Sequence, residues 1–222
     1  IDEDLPTARC LIQVTPDAQR TMNTFLGISA YLSAEDVKQE LVASSELLYC
    51  EGYLWDTDES KEAIRKAMKI SKSSNRKVAL ALSDTFCVER HREDWLELLK
   101  EFVDYIFCNE SEICALYMTK DLDKAIEKVA KNVDAAFITL GSRGSVVVEN
   151  SKKIEVEAVP VKGVVDSTGA GDIFASGVIF GMSRKLPLEK CAEIGSLMAS
   201  EVITSFGPRI EKDPKKIVEH LL

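Results

Sequence analysis

The chain has 222 residues, of which 45% are hydrophobic and 29% are charged, a balance that is ordinary for one globular domain. Its 28 basic and 37 acidic residues give a formal charge of −9 without a basic block, which argues against nucleic acid or an anionic membrane as a partner. No apolar run reaches the roughly 18 residues that cross a bilayer, and Ile1–Asp4 has neither a basic nor an apolar leader region. We therefore expect a cytoplasmic protein without a signal peptide.

The six cysteines and two histidines offer little metal or disulfide chemistry. No two cysteines have Cys-x-x-Cys spacing and most lie in apolar runs, so we expect buried free thiols rather than disulfides or a zinc site. His91 and His220 are far apart in the sequence and belong to no motif. A histidine-based metal site or a Ser-His-Asp triad is not favoured, although distance in sequence does not exclude proximity in space.

The chain opens with a predicted hairpin of residues 7–14 and 20–26, whose apex at 15–19 has turn-forming residues. Amphipathic or apolar periodicity predicts helices at 34–43 (with Ser33 as N-cap), 58–71, 90–102, 111–117, 122–132, 169–182, 188–204 and 214–222. Short apolar runs predict strands at 46–53, 78–82, 105–108, 135–140 and 145–149, the last two as a hairpin, and a β-like stretch at 161–165. Alternation of strands and helices predicts an α/β fold with a mainly parallel sheet covered by helices on both faces.

The most informative segment is Val165-Asp-Ser-Thr-Gly-Ala-Gly-Asp-Ile-Phe174, a small-residue turn that opens a long apolar helix. Glycines let the backbone approach an anion, and the unpaired N–H groups of a first helical turn attract it. Asp172 places a carboxylate among these donors. Phosphoryl transfer needs both donors for the moving group and a carboxylate that deprotonates the attacking hydroxyl. A structural helix start, with Asp172 as a first-turn stabiliser, explains the spacing equally well.

The segment closely resembles the Asp-Thr-x-Gly-Ala-Gly-Asp-x-Phe signature of the ribokinase-like (PfkB) carbohydrate kinase family, with Ser167 in place of the common threonine. The resemblance implies that Asp172 is the catalytic base and that Asp166 helps to bind a monovalent cation. The implied anion-hole amides are those of Gly169, Ala170 and Gly171. Carbonyl groups implied for the cation shell are those of Thr168, Val202, Ser205 and Gly207.

Further elements occur in the family's order. Asn109-Glu-Ser-Glu112 resembles the family's Asn-x-x-Glu motif, which implies that Asn109 and Glu112 organise Mg²⁺, water and phosphate; alone, the pattern is also a capping box. Residues 139–144 resemble the segment along the nucleotide phosphates and ribose, although a plain glycine turn has the same pattern. Residues 207–209 resemble the loop that closes the nucleotide site. The ATP contacts that the resemblance implies are Asn109, Thr139, Gly141, Gly144, Ser196 and Ala199.

Three stretches resemble the adenosine-kinase branch and its bacterial sugar-kinase relatives. In the lid strand at 19–27, Arg20 would reach the transferring phosphate, and at the strand end 82–86, Phe86 would pack on a nucleoside base. The third is the Glu-Gly-Tyr segment within 48–55. Arg20 as a solvated strand charge and Phe86 as a core residue remain alternatives. The family's N-terminal third, with its substrate-binding Asp and Gly-Gly-x-x-x-Asn segment, has no counterpart here, so these residues do not fix the acceptor.

The resemblance thus implies a ribokinase-like α/β fold in which residues 1–30 form a lid hairpin and 31–222 form a kinase domain with the nucleotide site. The implied activity is ATP- and Mg²⁺-dependent phosphorylation of a hydroxymethyl group on an adenosine-like nucleoside or a sugar. K⁺ is a further implied cofactor, and the protein is expected as a monomer or homodimer. A ribokinase- or fructokinase-type sugar kinase is one alternative. A non-catalytic nucleotide- or sugar-binding regulator is another, which the presence of Asp172 disfavours.

Overall fold

A computed structural model describes residues 5–222, so the expectations for residues 1–4, including the start of the predicted lid segment, lie outside the described residues. The strands are β1 Arg9–Val14, β2 Arg20–Phe25, β3 Leu47–Glu51, β4 Lys77–Ala81, β5 Tyr105–Asn109, β6 Ala135–Thr139, β7 Ser145–Glu149 and β8 Lys152–Val156. The α-helices are α1 Gln39–Ser44, α2 Asp58–Ser73, α3 Thr85–Arg90, α4 Arg92–Glu101, α5 Glu110–Leu116, α6 Leu122–Val129, α7 Ala170–Ser183, α8 Leu188–Val202 and α9 Pro214–Val218.

The chain divides into two compact units, and the first contains the chain up to Arg9 together with Thr24–Ala136. Its strands β3, β4 and β5 are parallel neighbours, with Leu47 opposite Lys77 and Ala79 opposite Tyr105. Because the strands are parallel, their carboxyl ends meet at one edge of the sheet. The residues at these strand ends, including Asn109 at the end of β5, are therefore brought to that edge.

Helix α2 illustrates why the first unit folds as the sequence predicts. Thr57 caps it by accepting a hydrogen bond from the Ser60 amide at 3.2 Å, and its apolar face is buried. The buried apolar residues of this face are Ala63, Ile64, Ala67 and Met68. Burying a side chain the size of methionine contributes roughly 1.5–3 kcal/mol.

The second unit contains Cys10–Asn23 and Phe137–Leu222. In it β7 and β8 are antiparallel, with Ser145 opposite Val156. Helices α7 and α8 pack so closely that a methyl group on Gly177 would lie 2.8 Å from the Cα atom of Gly195. This close approach lies midway along α7 and packs the helix that follows the site described below against α8.

Two predicted helices of the first unit are corrected by the structure. The helix expected at 34–43 begins only at Gln39, because the Asp36 carboxylate accepts from both the N–H and the hydroxyl of Ser33 and closes a turn there. The helix expected at 90–102 corresponds to α4, which begins at Arg92, and a separate helix that was not predicted, α3, precedes it. Helix α3 forms where Asp84 caps it by accepting from the Cys87 amide at 2.7 Å.

In the second unit, residues 161–165 form no strand; the Val165 amide instead donates to the Ile203 carbonyl at 2.8 Å. Strand β8 was not predicted. The other predicted elements are present within a few residues of their expected bounds, and the hairpin has its turn at 15–19. The fold class is confirmed as α/β, with a mainly parallel sheet flanked by helices and a small antiparallel hairpin.

The structure also bears on the expected burial of the cysteines and on membrane-spanning helices, and it meets the first expectation only in part. Four of the free cysteines are buried, whereas Cys10 is exposed and Cys114 is half-buried. Within residues 5–222, none of the helices combines the length and the apolar character that a bilayer span requires.

Candidate active site

A buried carboxylate organises the turn that precedes α7. Asp166 is 3% exposed, and its Oδ1 atom accepts from the amide and hydroxyl of Thr168 at 2.9 and 2.6 Å. Its Oδ2 atom accepts from the Gly207 amide at 2.9 Å. Burial acts to raise the pKa of Asp166, but these hydrogen bonds outweigh it and hold the pKa below its ordinary value. Asp166 therefore stays ionised and ties the turn to the loop after α8.

The glycines of this turn have different surroundings. Gly169 has a φ of +77°, and a methyl group on it would lie 2.6 Å from the Cβ atom of Pro208, so no other residue fits without strain. A methyl group on Gly171 would meet none of the described residues within 4 Å. The space in front of Gly171 is therefore left open by residues 5–222.

The first turn of α7 presents free donors to this space. The Ala170 amide reaches the Ser167 carbonyl at 3.3 Å, and the Ile173 amide reaches the Gly169 carbonyl at 2.9 Å. Between them, the amides of Gly171 and Asp172 have no acceptor among the described residues. Two adjacent unpaired N–H groups at a helix N-terminus attract an anion.

Asp172 lies in the same turn, with an exposed side chain. The surrounding protein raises its pKa by desolvation, while the positive charge of Arg20 acts to lower it. Within the described part of the chain, its carboxylate accepts no hydrogen bond from another side chain. Asp172 is thus an accessible carboxylate beside open amide donors, which is the arrangement that a general base for an approaching hydroxyl requires.

The tip of the hairpin contacts this turn. The Nη1 atom of Arg20 donates to the Ser167 hydroxyl at 2.9 Å, and that hydroxyl lies 3.4 Å from the Ala18 carbonyl. Ala18 is only 5% exposed, although it is at the hairpin apex. Arg20 is exposed, as the alternative of a solvated strand charge requires, yet it is also anchored by a hydrogen bond.

A cleft of about 570 Å³ opens beside the turn, and every residue of its lining belongs to the second unit. The predicted nucleotide contacts that line it are Thr139, Gly141, Gly144, Ser196 and Ala199. Ser167, Ala170 and Gly171 of the turn line it as well. The structure thus brings together all the predicted ATP contacts except Asn109, which belongs to the first unit.

The apolar wall of the cleft was not predicted. It consists of Val159, Pro160, Val161, Val164, Phe174 and Ile203. The run Ala158-Val-Pro-Val161, which leads into the β-like stretch expected at 161–165, is the signal that could have identified the wall, because apolar residues around a proline are typical of a loop.

Two residues of the predicted cation shell, Thr168 and Gly207, contact the Asp166 carboxylate. The Val202 carbonyl, which is also predicted for the shell, accepts from the Ser205 amide at 3.4 Å. In residues 5–222 no three histidine, cysteine, aspartate or glutamate side chains form a metal-binding group, which leaves a site built mainly of carbonyl oxygens untested. The cation site stays a prediction.

In the first unit, Asn109 and Glu112 form a capping box at the start of α5. The Glu112 carboxylate accepts from the backbone and side-chain nitrogens of Asn109 at 2.9 and 2.7 Å, and the Glu112 amide donates back to the Asn109 side chain at 2.9 Å. Glu112 is 6% exposed, and burial raises its pKa to about 7, with the carboxylates of Asp84 and Glu51 acting in the same direction. Since both carboxylate oxygens are engaged, the pair suits Mg²⁺ through bridging water better than direct coordination.

Phe86 is the second residue of α3 in the same unit and is 74% exposed, so the alternative of a core residue is wrong. Nearby, the Tyr53 hydroxyl donates to the Ser83 carbonyl at 3.0 Å, which ties the segment after β3 to the segment after β4. An exposed ring at this edge of the sheet is available to a ligand, as the sequence predicts, but its contact with a base is untested.

The chain as a whole matches the model of the pfkB family of carbohydrate kinases over residues 1–216. The chain belongs to this family. Among solved structures, an adenosine kinase from Sinorhizobium meliloti is 43% identical with a TM-score of 0.95, covering 98% of this chain and 67% of that one. A probable sugar kinase from Rhizobium etli is 39% identical with the same TM-score and the same coverage.

Among curated pfkB-type relatives, a nucleoside kinase from Methanocaldococcus jannaschii is 33% identical over 133 residues, which are 59% of this chain and 42% of that protein. The chain thus matches less than half the length of the first curated relatives, including a cytidine kinase from Thermococcus kodakarensis, for which the share is 42%. The activity of the whole protein is therefore a separate question from family membership.

Proposed function

We propose that this chain carries the nucleotide site and the catalytic base of an ATP-dependent kinase that phosphorylates a hydroxymethyl group of a nucleoside or sugar. The observation that carries the proposal is the first turn of α7, where the amides of Gly171 and Asp172 have no acceptor in the described chain and the Asp172 carboxylate is accessible beside them. A structural helix start would satisfy these donors or leave them in bulk water, without a cleft of about 570 Å³ beside them.

The proposed step follows from these groups. The acceptor hydroxyl loses its proton to Asp172 as its oxygen forms a bond to the γ-phosphorus of ATP. The bond from that phosphorus to the bridging oxygen breaks, ADP leaves, and the proton passes from Asp172 to solvent. The free amides at the start of α7 stabilise the negative charge on the transferring group. Arg20, anchored on Ser167, adds a positive charge close enough to lower the pKa of Asp172.

The nucleotide is proposed to bind in the cleft. The small residues Gly141, Gly144 and Ala199 leave room for it, and the apolar wall that includes Val159 and Ile203 suits the face of a base. Mg²⁺ would neutralise phosphate charge, as such ions do in phosphoryl transfer. Asn109 and Glu112 would hold it through water, because both carboxylate oxygens of Glu112 already accept hydrogen bonds from Asn109.

The acceptor class rests on two observations. Phe86 is an exposed ring at the carboxyl edge of the first unit's sheet, where it could stack on a base. The similar structures carry the names adenosine kinase and probable sugar kinase at 43% and 39% identity. We propose a nucleoside acceptor, with a sugar as the second candidate because the two similarities are nearly equal.

The direct test is ATP turnover by the full-length protein in a coupled assay, with adenosine, cytidine, ribose and fructose as separate acceptors. Turnover that depends on one acceptor and on Mg²⁺ supports the proposal and names the acceptor. ATP or sugar binding without turnover on any acceptor would favour the non-catalytic regulator instead.

A further inference from the structure

Ser167 is the one departure from the family's signature, and its hydroxyl contacts the arginine that the proposed chemistry uses. Ser167 lies in the turn that leads into α7 and lines the cleft. Its hydroxyl accepts a hydrogen bond from Nη1 of Arg20 at 2.9 Å. It also lies 3.4 Å from the Ala18 carbonyl at the apex of the hairpin. One hydroxyl thus joins the turn, the arginine and the hairpin apex.

The chemistry of this contact leaves the arginine active. A guanidinium carries five N–H donors and remains charged at all ordinary pH values. Among the described residues Arg20 pairs with no carboxylate, and Ser167 is neutral, so the contact holds the guanidinium without neutralising it. The remaining donors stay available to the oxygens of a phosphoryl group, for which an arginine fork is well suited.

The backbone of the hairpin apex supports the same geometry. Ala18 has a φ of +60° and is 5% exposed, so a turn residue that would normally face water is packed in the second unit. Its amide donates to the Thr15 carbonyl at 2.8 Å, and the Thr15 amide donates to the Gln19 carbonyl at 2.9 Å. The apex is a closed turn, and Arg20 follows it directly.

An exposed arginine that is free to rotate loses conformational entropy of about 2 kcal/mol when a ligand fixes it. A hydrogen bond that fixes it beforehand removes part of that cost from the reaction. We propose that Ser167 is a positioning residue that holds Arg20 over the anion-binding turn, so that the guanidinium is in place when the phosphoryl group is transferred. This proposal rests on the proposed kinase function.

The test compares four variants of the full-length protein. Ser167→Ala removes the hydroxyl, Ser167→Thr keeps it, and Arg20→Met removes the guanidinium at similar length; the double variant combines Ser167→Ala with Arg20→Met. Ser183→Ala is the matched control, because it removes an exposed serine hydroxyl at the C-terminal end of α7, where its one hydrogen bond among residues 5–222 goes to the Phe180 carbonyl.

We expect Ser167→Ala to lower kcat by about tenfold, which corresponds to the loss of one hydrogen bond to a charged group. The KM for ATP should change by less than about twofold, because the arginine acts on the phosphoryl group in the transition state and not on nucleotide binding. Ser167→Thr and Ser183→Ala should keep kcat near the wild-type value. Arg20→Met should lower kcat at least as much, and adding Ser167→Ala to it should cost nothing more, because the two act as one unit. Additive losses, or an unchanged kcat in Ser167→Ala, would overturn the proposal.

The pH profile gives a second readout that a purely structural serine would not move. Burial raises the pKa of Asp172 and Arg20 lowers it, so releasing Arg20 should shift the acid limb of kcat/KM to higher pH in Ser167→Ala, in the same direction as in Arg20→Met. An acid limb that stays in place in Ser167→Ala while it moves in Arg20→Met counts against the contact.

Hydrogen exchange separates failure of this proposal from failure of the kinase function. If none of the acceptors supports ATP turnover, the proposed function fails. The contact between Ser167 and Arg20 is then judged by hydrogen exchange at the hairpin apex alone. Faster exchange of the Ala18 amide in Ser167→Ala than in Ser183→Ala supports the contact, and equal exchange in the two variants overturns it.

Discussion

The N-termini of α5 and α7 each carry an acidic residue in the first turn, and the two are built in opposite ways. At α5 the Glu112 carboxylate is buried and turned back onto its own N-cap, Asn109. At α7 the Asp172 carboxylate is exposed, and its own amide and that of Gly171 have no acceptor in the described chain. A helix start that satisfies its own donors is a structural joint, whereas one that leaves donors and acid open beside a cleft is equipped to meet a ligand.

The largest expected effect is at the start of α7, where Asp172 and the free amides lie. Asp172→Asn should lower ATP turnover by roughly 10²–10⁴-fold, because it removes the group that accepts the hydroxyl proton while it keeps the shape of the side chain. Nucleotide binding should survive, since the amides and the cleft are unchanged. Steady-state turnover and the affinity for a non-hydrolysable ATP analogue measure the two effects separately.

The control for this variant is Asp58→Asn, which alters a first-turn acid of α2 in the other unit. It should leave turnover within about twofold of wild type, since a surface charge at a helix start contributes less than about 1 kcal/mol to stability. A near-wild-type rate in Asp172→Asn would refute the assignment of Asp172 as the base. It would also remove the functional difference between the N-termini of α5 and α7.

The next effect separates the two glycines of the open turn. Gly171→Ala should lower turnover by roughly 10²-fold, because its methyl group fills the space where an anion approaches the free amides. It should raise stability by up to about 1 kcal/mol, the usual gain for alanine over glycine in a helix. Gly169→Ala should instead lose about 1–3 kcal/mol of stability, from a φ of +77° and the contact with Pro208.

Chemical denaturation and turnover, measured on the same preparations, check this pair. Gly163→Ala is a matched control, because a methyl group there meets nothing within 4 Å and the residue does not line the cleft. If Gly171→Ala keeps full turnover, the open space is not where the phosphoryl group lies.

The signature around Asp172 could be predicted from sequence because glycine spacing and an apolar helix are local features. The Asp166 contacts were harder to predict, since its partners Thr168 and Gly207 are two and 41 residues away. The sequence could not distinguish a metal-binding Asn109–Glu112 pair from a capping box, because both interpretations use the same two residues. Only the geometry places both carboxylate oxygens of Glu112 on Asn109.

The wrong predictions have a common physical cause. Periodicity does not register a side chain that turns back onto the backbone, and this is what Asp36 does at Ser33 and Asp84 at Cys87. The first delays the start of a predicted helix until Gln39, and the second begins a helix that was not predicted. The stretch 161–165 is apolar because part of it lines the cleft, and not because it is a strand, so composition alone assigned it to the wrong structure.

The capping box at the start of α5 should make the stability of the fold depend on pH. Burial raises the pKa of Glu112 to about 7 from an ordinary 4.5, so the folded protein keeps a proton that the unfolded chain releases. Stability from this group is therefore complete below about pH 4.5 and is lost as the pH rises through about 7. At about 1.4 kcal/mol for each pH unit, the loss is at most roughly 3 kcal/mol.

Glu112→Gln removes this titration, so its stability relative to wild type should improve by about 2–3 kcal/mol between pH 5 and 8. Denaturant unfolding at several pH values measures this difference, and a constant difference would contradict the raised pKa. The Mg²⁺ concentration that gives half-maximal turnover provides the functional arm. A higher Mg²⁺ requirement in Glu112→Gln indicates a water-mediated metal role, whereas altered stability alone indicates a purely structural capping box.

The smallest expected effect concerns the buried carboxylate of Asp166, in the turn that precedes α7. Asp166 is buried, and its hydrogen bonds hold its pKa below the ordinary value, so it remains a fixed negative charge until the pH falls through that lowered pKa. The charge has donors from Thr168 and Gly207 but no cationic side chain within ion-pair distance among the described residues. A monovalent cation beside it would offset the charge and order both loops, and thereby hold the free amides of α7 in place. Turnover should then be a few-fold higher in potassium chloride than in choline chloride at equal ionic strength, because surface screening is the same in the two salts. Asp166→Asn should abolish that difference, since it removes the charge that attracts the cation. Equal rates in the two salts would show that the hydrogen bonds of Asp166 alone keep the turn ordered. The free amides at the start of α7 would then need no bound cation to hold them in place.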